Sequence, residues 1–184
     1  MNPKPIFSRS FLGLLFALVT TASLRAEDPA TFKVGELTFT RPAKWEWVEV
    51  TSEMRKAQLK VTDADGKASA EVVFFQFGPG GAGGAQANVD RWFRQFSEPK
   101  DQINAKSEEV TVGKTKVTYA SAEGTYKSGM PGGPTTAMAD YGLYGAIIES
   151  DDGNIFVKMT GPKALVKSSM ADFKKMIESA LKKD

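Results

Sequence analysis

The nine residues SAEVVFFQF, at positions 69–77, form the strongest strand pattern in the chain. Successive side chains of a strand point to opposite faces of the sheet. One face of this strand would carry Val73, Phe75 and Phe77. The other face would carry Ala70, Val72 and Phe74. Because neither set can be left to water, the pattern predicts a central strand in a sheet that is covered on both faces.

Further strand patterns lie on both sides of this segment. They occupy residues 37–40, 45–50, 57–62, 109–112, 116–126, 141–149 and 155–159. Turn-forming residues separate several of them, at 63–66, around Gly113 and at 151–154. Strands joined by short turns pair in antiparallel fashion, so the sequence predicts a mainly antiparallel sheet of six to eight strands.

Two helices are predicted to cover this sheet. Val89, Trp92, Phe93 and Phe96 recur at spacings of three and four residues, which is typical of an amphipathic helix, here ending near Pro99. A second helix is predicted from Pro162, with proline at its first helical position. Its apolar positions are Leu165, Val166, Phe173, Met176, Ile177 and Ala180, and a separate side carries Lys163, Lys167 and Lys174. The predicted fold class is α+β, with helices on both faces of the sheet in a single domain over residues 27–184.

Residues 1–26 have a different character from the rest of the chain. Lys4 and Arg9 precede an apolar run at 11–19, and small residues follow. This pattern predicts a signal peptide, with cleavage after Ala26 or, alternatively, after Ser23. The run is too short to span a membrane, so we expect a periplasmic or secreted protein with no stable membrane insertion after the signal is removed.

Composition excludes several classes of site. The chain has 24 Lys and Arg against 22 Asp and Glu, and without residues 1–26 the balance is 21 against 22, so nucleic acid is not an expected partner. The sequence has neither His nor Cys, which excludes disulfides, thiol nucleophiles and imidazole chemistry. No cofactor, metal ion or catalytic residue is predicted. The three tryptophans, Trp45, Trp47 and Trp92, are interpreted as core residues rather than a sugar-binding platform.

Two segments resemble a known family. Residues 37–45 are an apolar strand running into a Pro-x-x-Trp turn at Pro42 and Trp45, and residues 157–162 lead into the long terminal helix. Together they resemble the PsbP-like group, which shares an α/β/α sandwich with a Ran-binding nuclear import factor. The resemblance implies a binding or assembly module rather than an enzyme. It transfers no functional residue to this chain, because fold alone does not determine function.

Two Gly/Pro-rich segments, at 78–84 and 128–134, are longer than a simple connection requires. The first has the G-x-G-x-x-G spacing, but Pro79 occupies the tight turn, so a flexible connection is the better interpretation. We expect Gly80, Gly83, Met130 and Gly132 to contact a protein or another cell-envelope component. The predicted function is an exported, non-enzymatic binding or assembly module of the cell envelope. A carboxylate-dependent hydrolase or carbohydrate-active enzyme is the alternative, and a small-ligand carrier would need a cavity between the sheet and a helix.

Overall fold

The structure, a computed structural model, describes residues 28–129 and 133–182, besides Met1. The remainder of the predicted signal peptide and two of the predicted contact residues, Met130 and Gly132, lie outside the described residues. The strands are β1 (Thr31–Val34), β2 (Leu37–Thr40), β3 (Glu46–Trp47), β4 (Arg55–Thr62), β5 (Ser69–Gln76), β6 (Lys106–Val112), β7 (Thr115–Gly129), β8 (Thr135–Ile148) and β9 (Ile155–Pro162). The helices are α1 (Ala85–Phe93) and α2 (Lys163–Ser179), with a single 3-10 turn at Lys100–Gln102.

Seven of these strands form one antiparallel sheet in the order β3-β4-β5-β9-β8-β7-β6, and β1 pairs with β2 in a separate hairpin. Strand β5, which contains the apolar segment 69–76, lies between β4 and β9. The described chain therefore confirms the predicted α+β class, the antiparallel pairing and the number of strands.

One face of the sheet, the α2 face, is covered by α2 together with the β1–β2 hairpin. Phe74 of β5 is 0% exposed there, and the rings of Phe32 and Phe39 lie 5.1 and 5.2 Å from its ring. Trp45 is buried and Trp47 is half-buried beside Phe32, in agreement with their predicted core role. This face has the larger of the two apolar cores.

The opposite face, the α1 face, is covered only in part. Val89, Trp92 and Phe93 of α1 pack onto β7, β8 and β9, and Trp92 is buried as predicted. Strand β4 adds no residue to this core among those described, because it presents Gln58 and Lys60 here instead. The prediction that neither face of segment 69–77 is left to water is wrong at Phe77, which is 38% exposed because it lies beyond the end of β5, and Phe75 is only half-buried.

Helix α1 is shorter than predicted, ending at Phe93 rather than near Pro99. The chain then turns and pairs with the β7–β8 hairpin, where the Ser97 amide donates a hydrogen bond to the Thr125 carbonyl at 2.9 Å. Phe96 remains buried, with its ring 5.5 Å from that of Tyr126. The apolar spacing therefore continues past the end of α1, because Phe96 lies in a turn and packs onto the same core.

The β7–β8 hairpin extends beyond the predicted strands. The second Gly/Pro-rich loop is shorter than residues 128–134, because Ser128 and Gly129 end β7 and pair with Thr136 and Thr135. The register shifts where Asp140 adopts a left-handed conformation with φ 54°. Such a bulge interrupts the alternation of side chains. The segment 135–140 therefore carries no regular strand pattern in the sequence.

The start of α2 differs from the prediction by one residue. Pro162 ends β9 with φ −51° and ψ 130°, which is extended backbone, and the helix begins at Lys163. Pro162 therefore precedes the first helical position instead of occupying it. The six apolar positions predicted for this helix are all buried.

Candidate functional site

A groove lies on the α2 face, beside α2. It has a volume of about 650 Å³. Strands β6 and β7 and residue Tyr144 of β8 form its sheet side, and Met170, Ala171 and Lys174 of α2 form its other side. The groove exists because the sheet is wider than its helical cover: α2 packs chiefly against β8, with smaller contacts to β2, β9 and β5. We call it the tyrosine groove.

Tyr119 and Tyr144 lie at the floor of the tyrosine groove. Their rings are nearly parallel, with centroids 5.9 Å apart, and Phe173 of α2 packs against Tyr144 at 5.1 Å. Both hydroxyl groups are buried and neither has a hydrogen-bond partner among the described residues. Burial raises the pKa of both phenols well above the ordinary value, so both remain neutral at physiological pH. A buried hydroxyl without a partner is unfavourable for the fold.

An ion pair lies across the mouth of this groove. Lys174 Nζ is 2.8 Å from Glu108 Oε1, which joins α2 to the edge strand β6. The same ammonium lies 4.8 Å from the centre of the Tyr119 ring, within the range of a cation–π contact. Both charged side chains are partly exposed, so the pair is weak and can separate when a ligand enters.

A second hollow of about 460 Å³ continues the groove along α2. The two hollows share Lys106, Ser121 and Met170, and the second is also lined by Lys163 and Lys167. Lys163 lies 3.6 Å from Asp140, whereas Lys106 and Lys167 have no carboxylate within 4.0 Å among the described residues. The combined groove therefore has an apolar, aromatic floor and a basic rim.

The carboxylates that line the two hollows are Glu108 and Glu123. Glu108 is paired with Lys174, and Glu123 accepts a hydrogen bond from Asn104 Nδ2 at 2.6 Å. Each acidic side chain thus has a protein partner in this arrangement. The groove therefore has tyrosines at its floor and lysines around its opening.

Two of the predicted contact residues, Gly80 and Gly83, lie elsewhere. Gly80 and Gly83 both have positive φ and line a small hollow of about 150 Å³ between the loop 78–83 and the turn at 150–154. Asn88 of α1 stabilises this loop, because its Nδ2 donates hydrogen bonds to the carbonyls of Ala82 and Gly84 at 2.9 Å each. The structure therefore places these two glycines on a surface separate from the tyrosine groove.

Sequence reasoning did not identify Tyr119 and Tyr144 as site residues. Each sits in an apolar strand pattern and was indistinguishable from a core residue. The sequence places Lys167 and Lys174 on a different side of the last helix from its apolar positions, which is correct but does not show that this side borders a groove. Only the position of α2 relative to β6 and β7 brings these residues together.

Two of the solved structures similar to this chain each match 86% of its length. No protein-family model matches the chain, and no curated protein matches its sequence. A protein of unknown function from Pseudomonas aeruginosa is 12% identical, with a TM-score of 0.48 over 86% of this chain and 99% of that chain. PsbP from the cyanobacterium Synechocystis is 12% identical, with a TM-score of 0.46 over 86% of this chain and 96% of that chain. The second belongs to the group that the sequence resembles, and at this identity no residue role is taken from either protein.

Proposed function

We propose that this protein is an exported, non-enzymatic binding or assembly module of the cell envelope, and that the tyrosine groove receives a segment of a partner protein. The observation that carries the proposal is the incomplete cover of the α2 face beside β6 and β7, which leaves a groove of about 650 Å³ lined by Tyr119 and Tyr144. Tyrosine is favoured at protein interfaces because its ring is apolar and its hydroxyl can accept or donate a hydrogen bond.

The rim of the groove specifies the chemistry of that partner segment. Lys106 and Lys167 have no acidic partner within 4.0 Å in the described residues, and Lys174 can exchange Glu108 for another carboxylate. Complementary charge orients an incoming partner and favours the correct one. We therefore expect a segment with apolar side chains for the floor and acidic side chains for the rim.

Site-specific crosslinking tests this proposal. A photoreactive phenylalanine replaces Ala171, which is exposed and lines the groove, and in a matched control it replaces Ala164, which is exposed on the same helix but lines neither hollow. In cells that produce the protein, position 171 should form a crosslink to one partner segment and position 164 should not. Mass spectrometry of the crosslinked peptide should show an apolar segment with acidic residues.

Charge reversal supplies the second arm of the experiment. Lys106→Glu together with Lys167→Glu should reduce the crosslink at position 171 several-fold, whereas Lys175→Glu, outside the groove, should leave it unchanged. Equal crosslinking at positions 171 and 164, a basic partner segment, or a crosslink indifferent to the double reversal would contradict the proposal.

Export is part of the same proposal and has its own test. The support is the pattern of residues 1–26. In the part of the chain that the structure describes, neither α1 nor α2 combines the length and the apolar character of a membrane-spanning helix. N-terminal sequencing of the protein from the cell-envelope fraction should begin at Glu27, or at Leu24 if cleavage follows Ser23. Retention of Met1 in that fraction would contradict signal cleavage.

The two Gly/Pro-rich loops remain proposed contact surfaces for such a partner. Their support is their glycine content and length, with Gly80 and Gly83 in the first loop and Met130 and Gly132 in the second. Deleting residues 129–133 should abolish co-purification of the partner and leave thermal stability nearly unchanged. Unchanged co-purification would restrict the contact to the tyrosine groove and the first loop.

A further inference from the structure

Strand β6 is an edge of the seven-stranded sheet. It pairs with β7 on one side, and no described strand lies on its other side. The pairing runs without a register shift from the Lys106–Ser121 pair to the Val112–Thr115 pair. The strand contains neither proline nor glycine, and its residues are exposed or half-buried. We call the outer side of this strand the β6 edge.

Two hydrogen bonds of β7 show which of its residues face β6. The Glu149 amide donates to the Lys116 carbonyl at 3.0 Å, so the backbone of Lys116 is directed to β8. The Glu123 amide donates to the carbonyl of Ile103, which lies just before β6, at 2.8 Å. Because the direction of the backbone groups alternates along a strand, the odd-numbered residues of β7 from 115 to 121 are bonded to β6.

The same alternation directs three residues of β6 outward. The β6 residues opposite the odd-numbered residues of β7 have even numbers, from Lys106 to Val112. Ser107, Glu109 and Thr111 lie between them, so their N–H and C=O groups point away from the sheet. In the described chain, no backbone hydrogen bond outside the helices and strands reaches these groups. The β6 edge therefore presents the donors and acceptors of three residues in a row, ready to pair with another strand.

The opposite edge of the sheet is closed by the protein's own side chains. Strand β3 has two residues, and its Trp47 amide donates to Asp28 Oδ2 at 3.0 Å. The guanidinium of Arg41 donates to the Trp45 carbonyl just before the same strand. Short strands and local caps are common ways to protect a sheet edge. At the β6 edge, the hydrogen bond from α2 goes instead to the side chain of Glu108 and does not occupy the backbone.

The β6 edge is continuous with the tyrosine groove. Lys106, Ser107 and Glu108 belong to the strand and also line the groove. On the α2 face, Val110 and Val112 are half-buried against the larger apolar core. A strand added to this edge would extend the sheet side of the groove. Its side chains on the α2 face would lie beside Lys106, Glu108 and the two valines.

We infer that the partner segment binds as an extended strand along the β6 edge. The inference rests on the proposed function, because it assigns a backbone conformation to the segment that enters the groove. Such a strand would exchange backbone hydrogen bonds with Ser107, Glu109 and Thr111, whereas the N–H and C=O groups of an α-helix are already bonded within the helix. Apolar side chains should recur at every second position of the segment, with an acidic side chain beside Lys106.

The charge of the β6 edge favours a different protein over a second copy of this chain. Two β6 strands that pair about Glu109 would use all three outward residues of both copies. They would also place the two Glu109 side chains directly opposite each other, and like charges in that position are destabilising. The purified protein should therefore be a monomer in light scattering. A dimer that Glu109→Pro dissociates would overturn the inference, because the second copy would then be the occupant.

Glu109→Pro tests the backbone contact directly. Proline removes the outward amide hydrogen of residue 109 without removing a bond to β7, and edge strands tolerate proline at such positions. Glu109→Ala is the matched variant, because it removes the side chain and its ion pair with Lys116 but keeps the amide. With the photoreactive residue at position 171, Glu109→Pro should reduce the crosslink several-fold more than Glu109→Ala does. Equal reductions would overturn the inference.

A photoreactive phenylalanine in place of Thr111 separates this inference from the proposed function. Thr111 is exposed and belongs to the β6 edge, but it lines neither hollow of the groove. The same partner segment should crosslink at positions 111 and 171. A crosslink at 171 alone would keep the proposed groove and overturn strand addition. A crosslink at 111 alone that Glu109→Pro abolishes would support strand addition and contradict the groove.

Amide hydrogen exchange followed by NMR provides a measurement on the unaltered protein, in case Glu109→Pro does not fold. In the free protein, the amides of Ser107, Glu109 and Thr111 should exchange rapidly, whereas those of Glu108 and Val110 should be slowed by their bonds to β7. A synthetic peptide of the crosslinked segment, added until it saturates the protein, should slow the first three amides. Rapid exchange of those three amides in the saturated protein would overturn the inference.

Discussion

The two faces of the sheet show how differently one set of strands can be used. On the α2 face, Ala70, Val72 and Phe74 of β5 are all buried beneath α2 and the β1–β2 hairpin. On the α1 face, the same strand runs from Glu71 in an open polar cleft, through buried Val73, to half-buried Phe75. The first face supplies most of the core, whereas the second includes the partly buried Lys158 and a cavity. The larger apolar core and the polar cleft beside Glu71 thus lie on opposite faces of β5.

The largest expected effect comes from neighbouring phenylalanines on opposite faces. Phe74→Ala should lower the free energy of unfolding by about 3–5 kcal/mol, because a fully buried ring leaves a cavity. Phe75→Ala should cost clearly less, because that ring is half-exposed in the native state. Urea denaturation of both variants measures the difference. Equal losses would show that the α1 face is as well covered as the α2 face.

The attachment of α1 to the sheet gives the next largest effect. A methyl group at Gly145 would lie 2.3 Å from a ring carbon of Trp92, so Gly145→Ala must displace the helix. We expect a loss of about 1–3 kcal/mol, typical of overpacking. Thermal unfolding measures it, with Gly78→Ala as the control, because a methyl group there meets nothing within 4 Å. A neutral Gly145→Ala would mean that α1 is only loosely held.

Lys158 should affect stability in the opposite direction. Its pKa is lowered from 10.5 to about 8 by burial, so the unfolded chain binds this proton more tightly than the folded protein does. The resulting penalty is complete below pH 8 and is relieved as the pH rises from about 8 to about 10.5. Lys158→Met should therefore raise the free energy of unfolding at pH 7 by an amount on the order of 1–3 kcal/mol.

Urea denaturation of Lys158→Met and the wild-type protein at pH 7 and 9.5 measures this effect. The advantage of the variant should shrink at the higher pH, and the difference between the two proteins cancels the titration of the tyrosines. A variant that is less stable at pH 7, or whose advantage grows with pH, would show that Lys158 is compensated within the fold.

The tyrosine hydroxyls give the smallest contrast between the faces. Tyr119→Phe and Tyr144→Phe remove hydroxyls that have no partner in the described chain, so each should leave stability unchanged or raise it by up to about 1 kcal/mol. Tyr126→Phe removes a hydroxyl that is hydrogen-bonded to Gln95 and should lower it by about 1 kcal/mol. Thermal unfolding of the three variants distinguishes the faces. Similar losses in all three would indicate that the groove hydroxyls have a partner in solution.

Much of the fold could be predicted because its signals are local. The alternation in 69–77 and the spacing of Val89, Trp92 and Phe93 each follow from the geometry of one element. The errors fall where neighbours decide the outcome. Asp140 shifts the register of β8 because of its pairing with β7, and the chain after Phe93 leaves the helix to pair with Thr125.

The candidate site could not be predicted in this way. Tyr119, Tyr144 and Lys174 are far apart in sequence, and each matches an ordinary core or surface pattern. The same holds for Lys158, which looks like a polar interruption of an apolar strand. Its significance depends on Gln95 and Tyr126, which are brought to it from two other elements.

The amino-acid order alone thus determined the α+β class, the central place of β5 and the apolar faces of both helices, because side-chain periodicity follows directly from backbone geometry. The three-dimensional arrangement alone decided that α2 packs chiefly on β8 and leaves a groove beside β6 and β7, that α1 leaves β4 bare, and that Lys158 lies against Gln95 and Tyr126. Those features depend on the relative width and placement of layers, and such long-range geometry is not encoded in any single segment.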